Sequence, residues 1–572
     1  MNNSKYRDSL YEVRHLTDLR HMIKSCDELY GDKEAILVKD KPGGVYEKIS
    51  YRQLKKDIDA LGTALIDAGL KDKKIAVIGE NRYEWIISYL ATTNGTGIIV
   101  PIDRELQAEE IETLLERAKV SAIIYSGKYE KVVMDAVKDV ESIKYAIGMD
   151  AIEDEVNKKS LRRLIINGYG LIAEGNRDFI DAEIDPEVMT ALLFTSGTTG
   201  LPKGVMLSHK NIISNVLYMS KYVNFTTDKR SLSVLPMHHT YELTCNVMTS
   251  LYQGMSIAIC EGLKYIVKNM AESQATVMVG VPLLFEKMHK KVWKQAESSG
   301  KAKKMRRAIG ISKALGGENI KATKKLFGAV HEAMGGKMEE FISGGAAIDP
   351  EVIRDFNAMG MNMIQGYGMT ENAPIIAVNR DRYHKADAAG FPLPETEVKI
   401  IDKDEDGIGE IICRGPSVML GYYEDEEATA DVLKDGWLHT GDFGYMDDEG
   451  FLYVTGRKKN LIVTKNGKNI SPEEIEYYLL KSPYIEEVIV WGRHDEKTGD
   501  TVVCADIFPT MQYVHENHGE PDDDRLEKII QTEIDKVCDK MPTYKRVKRL
   551  NIRKEEFEKT TSQKIKRFSI KH

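Results

Sequence analysis

The sequence predicts an α/β protein. A large N-terminal domain of mainly parallel sheets with flanking helices carries a barrel-like subdomain, and a small α+β domain follows it. Three observations point there. From Lys74 onward, short apolar runs alternate with segments of helical period, the pattern of parallel strands joined by crossovers. From about Val398 to Tyr453 the pattern turns to short strands separated by turns such as Asp406-Gly407 and Glu449-Gly450, which reads as antiparallel or barrel-like. Beyond residues 456–460 lies a compact unit of alternating helix and strand, about 115 residues long, a usual size for a small domain. The expected domains are residues 1–457 and 458–572.

Taken in order, Ile75–Ile78 is a strand, Glu84–Ala91 a helix, Gly97–Val100 a strand, Ala108–Lys119 a helix and Ser121–Tyr125 a strand. The apolar run Met189–Phe194 reads as a buried strand, and Val205–Leu207 as a second short one. Ser208 fits the N-cap of the helix bearing Ile212, Ile213, Val216 and Leu217. Strands Ser231–Leu235, Met255–Ile259 and Ala275–Gly280 alternate with helices Glu242–Leu251 and Tyr265–Ser273. Residues 287–330 are rich in lysine and poor in strand formers, a two-helix excursion from the sheet. Phe341–Ser343 is a strand that stops at a glycine pair, and Asp349 with Pro350 starts a helix to about Ala358. In the last domain Ser471-Pro-Glu-Glu474 reads as a capping box. Strands Val488–Trp491 and Thr501–Cys504 follow, then a helix over Asp524–Met541.

At 572 residues, with 42% hydrophobic and 30% charged residues, the chain reads as a soluble globular protein of more than one domain. Its net charge of −9 argues against a general nucleic-acid binder, which needs a basic face. The six cysteines are scattered without a C-x-x-C pair, as expected of reduced thiols in the cytoplasm. The first residues lack the apolar core of a signal peptide, and no apolar run approaches the ~20 residues of a membrane span.

Chemistry concentrates at Thr195-Ser-Gly-Thr-Thr-Gly-Leu-Pro-Lys-Gly204, where a strand breaks into hydroxyls and glycines. Gly197, Gly200 and Gly204 allow tight turns and close backbone approach. Thr195, Ser196, Thr198 and Thr199 add donors, and Lys203 adds positive charge, a set suited to a polyanion such as a nucleoside triphosphate. The spacing is not that of the G-x-x-x-x-G-K-[ST] loop, so P-loop chemistry is not assumed. In Gln365-Gly-Tyr-Gly-Met-Thr-Glu371, Tyr367 stands between Gly366 and Gly368, where its ring can stack on a purine. Glu371 offers a carboxylate for Mg2+. Asp442 and Arg457 suit ribose hydroxyls, and Lys564 lies in the basic stretch 559–567. Each of these also fits an ordinary turn, surface loop or solvated tail. His238 and His239 lack a third ligand at zinc spacing and read better as pocket wall or gate. No G-x-S-x-G elbow occurs.

In order, TSGTTGLPKG (195–204), PMHHTY (236–241), SGGAAI (343–348), QGYGMTE (365–371), WLHTGD (437–442), GRKKN (456–460) and KTTSQKIKR (559–567) resemble the adenylate-forming superfamily. The similarity runs from roughly residue 30 to the C-terminus. LIVTKNGKNISPEEIE and VHEAMGG, with the helical excursion, resemble its long-chain fatty acyl-CoA synthetases. Two positions depart from the pattern: Gln563 stands where a glycine commonly precedes the lysine, and the hinge position, often Asp, is Lys459.

The resemblance implies AMP-forming activation of a fatty acid, of medium or long chain, with ATP, Mg2+ and CoA. The carboxylate attacks the α-phosphorus, pyrophosphate leaves, and a thiol then displaces AMP. It implies that residues 195–203 hold the β- and γ-phosphates, Gly345 and Ala346 line the adenine site, and Gly366, Tyr367, Gly368, Met369 and Thr370 meet the nucleotide. Thr195, Glu371 and Lys564 then act at the phosphates, with Mg2+ on Glu371. His239, Tyr241, Gly366 and Asn372 face the acyl group, Lys459 is the hinge of a mobile C-terminal domain, and Gly467 adjoins the thiol channel. Val279, Val281, Leu284 and Met363 are further apolar candidates. Rival readings are transfer to an acyl-carrier protein, adenylation of another carboxylate, and a degenerate nucleotide-binding scaffold. Peripheral membrane contact fits any of these.

Overall fold

The computed structural model describes residues 10–195, 202–314, 323–324, 326–463, 469–495, 500–559 and 565–567. The chain divides into two compact units, Met1–Glu397 with Arg414–Leu438, and Val398–Cys413 with His439–His572.

The first unit holds two large sheets. In the eight-stranded sheet the order is Gly421–Tyr422, Lys203–Ser208, Met189–Thr195, Gly97–Pro101, Lys73–Ile78, Ala122–Tyr125, Tyr145–Gly148, Lys158–Ser160. From Met189–Thr195 to the far edge the strands are parallel. Residues 75–78 are buried without alternation, because helices cover both sheet faces and leave no polar side. Successive crossovers from Lys73–Ile78 go first to one side and then to the other, so its C-terminal end, Gly79 to Asn81, opens at a topological switch point.

The nine-stranded sheet runs in the order Phe391–Pro392, Ile375–Val378, Asn362–Gly368, Glu340–Ser343, Val277–Gly280, Arg230–Ser233, Ser256–Ile259, Glu34–Val38, Glu47–Ser50. It is parallel in the middle and antiparallel at both edges. Helices Pro282–Ser298, Ala302–Ala314 and Pro350–Ala358 bury Phe285, Met305 and Phe356 against it. Ser208 caps helix His209–Ser220 by accepting from Asn211 N–H, and Asp349 caps Pro350–Ala358 by accepting from Glu351 N–H.

The second unit carries most of a five-stranded sheet formed by Glu397–Ile401, Gly409–Arg414, Leu433–Lys434, Trp437–Met446 and Leu452–Arg457. It also carries a three-stranded sheet in which Ile485–Asp495 and Arg549–Ile552 flank Asp500–Pro509. Helices Pro472–Leu479 and Asp523–Cys538 pack on the latter around Ile475, Val490 and Ile530. Two local expectations change. The Ser471 hydroxyl makes no capping bond; its single O–H is instead shared between Thr455 O at 2.7 Å and Glu473 Oε2 at 2.9 Å. The stretch expected as helix from Glu242 begins as a π-helix, Tyr241–Met248, before Thr249–Tyr252.

Candidate active site

The residues on either side of the Gly/Thr loop are paired. Strands Met189–Thr195 and Lys203–Ser208 are antiparallel, with Thr195 opposite Lys203 and the Thr195 hydroxyl 3.4 Å from Lys203 O. The loop thus joins two strands of a hairpin, whereas a P-loop joins a strand to a helix. Ser196, Gly197, Thr198, Thr199 and Gly200 lie outside the described residues. A third strand, Gly421–Tyr422, pairs with Lys203–Ser208 and adds a residue that sequence reading missed. The Tyr422 ring lies 4.8 Å from Lys203 Nζ, a cation–π contact. Its hydroxyl donates to Glu371 Oε1 at 2.9 Å. Burial, and then the Glu371 charge, push the Tyr422 phenol far above its ordinary range, so it stays a neutral donor. The clue available in the sequence was Gly421-Tyr-Tyr423, an aromatic pair beside a glycine just before an acidic run.

Glu371 sits in a single 3-10 turn, Thr370–Asn372, directly after strand Asn362–Gly368. The turn is tightly held. Asn372 is fully buried and donates to Ile375 O at 2.7 Å, while Asn215 donates to Asn372 O at 3.1 Å. Glu371 O accepts from Met419 N–H at 2.8 Å. Gly368 must be glycine, since a Cβ there would lie 2.1 Å from Pro374 O. Tyr367 is half-buried and pairs across the sheet with Ala377. Gly345 and Ala346 are exposed just past strand Glu340–Ser343, with Gly345 at φ +84, in the left-handed region that favours glycine. Thus Lys203, the strand partner of Thr195, meets Glu371 through Tyr422, and the 340–346 and 362–371 segments leave neighbouring strands of one sheet.

The His238–Tyr241 segment is positioned from the switch point. Asn81 Nδ2 donates to Ser233 Oγ at 3.0 Å and to Leu235 O at 2.6 Å, while its Oδ1 accepts from Met237 N–H at 3.2 Å. His238 Nε2 is 3.6 Å from Asp103 Oδ2, and the His238 and His239 rings are 4.1 Å apart. Tyr241 OH donates to Ile342 O at 3.1 Å. Next to it, Glu242 is fully buried. Its Oε1 accepts from Ser233 at 2.6 Å and Asn246 at 2.7 Å, its Oε2 has no partner among the described residues, and burial pushes its pKa up to about 7. An apolar cavity of about 20 Å³ lies beside this π-helix, and Tyr241, Cys245, Val279, Gly366, Met219 and Phe225 are among the residues that line it. Tyr241, Gly366 and Val279, three of the residues expected on the acyl side, thus share one apolar lining. His239 and Asn372 are not part of the cavity lining, and Met363 belongs to the core.

In the second unit, Asp442 and Arg457 are cross-strand partners, with Arg457 Nε 3.1 Å from Asp442 Oδ1. Asp442 is buried and Arg457 half-exposed, so the pair sets a buried carboxylate against a guanidinium at the surface. Lys459 lies in the short turn Lys458–Asn460, and its neighbour Lys458 pairs with buried Glu410 at 2.9 Å. Gly467, Gln563 and Lys564 lie outside the described residues. The base of the segment carrying Lys564 is anchored: Lys559 bridges Ile565, Lys566 N–H donates to Glu558 O at 2.8 Å, and Arg567 pairs with Glu476.

The donor set around Glu371 fits Mg2+. One partly exposed carboxylate, with one oxygen fixed by a neutral phenol, suits an ion that takes few protein ligands and fills its shell with water and phosphate oxygens.

Residues 24–423 match the family described as AMP-binding enzyme, and residues 474–564 match the AMP-binding enzyme C-terminal domain. Fatty acyl-CoA synthetase B of Dictyostelium discoideum is 29% identical, over 96% of this chain and 88% of its own. Long-chain-fatty-acid–CoA ligase 5 of Rattus norvegicus is 32% identical, over 79% of this chain and 70% of its own. An anthranilate CoA ligase solved with anthranoyl-AMP superimposes with a TM-score of 0.75 at 19% identity, covering 100% of this chain and 98% of that one, a likeness of fold.

Proposed function

The chain belongs to the AMP-binding enzyme family, and from that premise we propose that it is an AMP-forming fatty acid–CoA ligase. The observation that carries this is Glu371 fixed by Tyr422, whose ring stacks under Lys203 at the root of the hydroxyl-rich hairpin. The fatty substrate is supported by the similarity to proteins named as fatty acyl-CoA synthetases and by the mainly apolar cavity beside Tyr241.

Two displacements make the reaction. A carboxylate oxygen attacks the α-phosphorus of ATP and the bond to pyrophosphate breaks; the CoA thiolate then attacks the acyl carbonyl and AMP leaves. No enzyme nucleophile is consumed, so the residues act by positioning and by charge. Thr195 and Lys203, with Ser196, Gly197, Thr198, Thr199 and Gly200, are assigned to the outer phosphates. Gly345, Ala346, Gly366, Tyr367, Gly368 and Met369 are assigned to the base, Thr370 to the α-phosphate, and Asp442 with Arg457 to the ribose. Mg2+, held by Glu371, neutralises phosphate charge when bound. Lys564 is assigned to the charge that develops at the α-phosphate. His239, Tyr241, Gly366 and Asn372 are assigned to the acyl side and Gly467 to the thiol path. A boundary at 457/458, inside the second compact unit, makes Lys459 the pivot between the two steps. All six cysteines are buried thiols, which suits a reducing compartment such as the cytoplasm; among the described residues no helix is long and apolar enough to cross a membrane.

The test is pyrophosphate–ATP exchange over acids from acetate to palmitate, with aromatic and amino acids as controls, followed by transfer to CoA or to a purified acyl-carrier protein. Exchange that depends on a fatty acid, with AMP and acyl-CoA as products, is expected. ADP as the spent nucleotide, or no carboxylate-dependent exchange, overturns the reading; a carrier protein preferred over CoA corrects the acceptor.

A further inference from the structure

Residues 282–314 carry eight lysines and two arginines against two glutamates, in a chain of net charge −9. They form two successive helices, Pro282–Ser298 and Ala302–Ala314. One face of each is apolar and buried: Phe285, Met288 and Val292 in the first, Met305, Ala308 and Ile309 in the second. The other faces are cationic and exposed, with Lys287, Lys290, Lys291 and Lys294 on the first helix. On the second, Lys303, Lys304, Arg306 and Arg307 are exposed. Among the described residues none of these eight lies within ion-pair distance of a carboxylate. Lys313 does, pairing with Asp355 at 3.1 Å. Ile311, 57% exposed, follows Lys304 by seven positions and Arg307 by four, which sets an apolar side chain among cations on one helix face.

We propose that this helix pair is a docking face for a lipid bilayer bearing anionic headgroups. The charge is spread along a 17-residue helix, about 25 Å, rather than gathered in a cleft, so it matches a charged plane better than one phosphate. Lysine dominates over arginine, which favours diffuse attraction over the forked recognition of a particular group. The exposed Ile311 amid the cations adds a small apolar contact to that electrostatic attraction. The first helix also leaves directly from strand Val277–Gly280, whose Val279 lines the apolar cavity, so the docking face and the cavity share a wall. The proposal rests on this charge distribution and is independent of the ligase assignment, because it is read without substrates.

The full-length protein is mixed with vesicles of phosphatidylcholine alone and with vesicles containing about one third phosphatidylserine, and binding is measured by flotation. Binding only to the anionic vesicles is expected, lost at about 0.5 M salt, where the Debye length falls below about 5 Å. Replacing Lys290, Lys291, Lys294, Lys303, Lys304 and Arg307 by glutamine is expected to weaken that binding at least roughly tenfold. Ile311→Ser, a milder change, is expected to weaken it severalfold while circular dichroism and Tm match the parent. Equal binding to neutral vesicles, no binding to either, or unaltered binding by the glutamine variant overturns the proposal. So does a complex with an acidic carrier protein that anionic vesicles fail to displace.

Discussion

The hydroxyl of Tyr422 donates a 2.9 Å hydrogen bond to Oε1 of Glu371, and the two residues come from segments separated by 51 positions. The same ring lies under Lys203, so one aromatic side chain links the carboxylate assigned to the metal with the cation assigned to the phosphates. Tyr422→Phe keeps the ring and deletes the donor. A hydrogen bond to a charged group is worth about 1.5–3 kcal/mol, so exchange activity is expected to fall about 10- to 100-fold. The Mg2+ concentration for half-maximal rate should rise with it. An unchanged Mg2+ dependence would show that the bond does not orient Glu371 for the ion.

Lys564→Ala is expected to cost roughly 3–4 kcal/mol in adenylate formation, the usual loss for one aligned charge donor, while sparing thioester formation from supplied acyl-AMP. Lys459→Pro should do the converse and slow the second step more than the first. Single-turnover measurement of both half-reactions decides each case; equal loss in both steps refutes the division of labour.

The cavity beside Tyr241, at about 20 Å³, has room for little more than one water-sized group, so side chains must shift before an alkyl chain enters. Met219→Ala removes bulk from its wall. The ratio of kcat/KM for long over short acids is expected to rise, at a stability loss of about 2–5 kcal/mol. A chain-length profile identical to that of the parent would remove this cavity from the acyl path.

Glu242 supplies a pH prediction with a definite sign. Its folded pKa, about 7, lies above the ordinary 4.5, so between those values the native state holds more protons than the unfolded state. Its contribution to stability is therefore greatest below pH 4.5 and is lost as pH rises through 7. A shift of this size corresponds to roughly 3 kcal/mol. Against Glu242→Gln, the parent should lose that much on going from pH 4.5 to 7.5, read as the difference in urea midpoints. Parallel pH profiles would show that folding leaves the Glu242 pKa at its ordinary value.

Much of the fold was legible because the patterns were local. The run Ile75–Ile78 and the Asp349-Pro350 pair each state their own conformation through apolar continuity or cap chemistry, and both stand as read. The Ser471 capping box was not realised because Thr455 O, sixteen residues earlier in sequence, competes for the hydroxyl. The π-helix at Tyr241 was illegible for a similar reason: its buried Glu242 is held by Ser233 of a neighbouring strand, a contact that helical period does not register. Of the site, Thr195, Lys203 and Glu371 stood out as chemistry, but their coupling through Tyr422 depends on a strand pairing across more than 200 residues, which no spacing announces.

Gly421–Tyr422 is also the outermost strand of its sheet, laid along Lys203–Ser208 with Leu420 and Tyr423 N–H donating to Met206 O and Gly204 O at 3.0 and 2.7 Å. A bare strand at that rim would offer unpaired main-chain groups as a template for adding another chain. The two-residue strip thus covers that rim at the same place where its tyrosine holds Glu371. Variation there is constrained twice, since shortening the strip would uncover a sticky border as well as release a carboxylate.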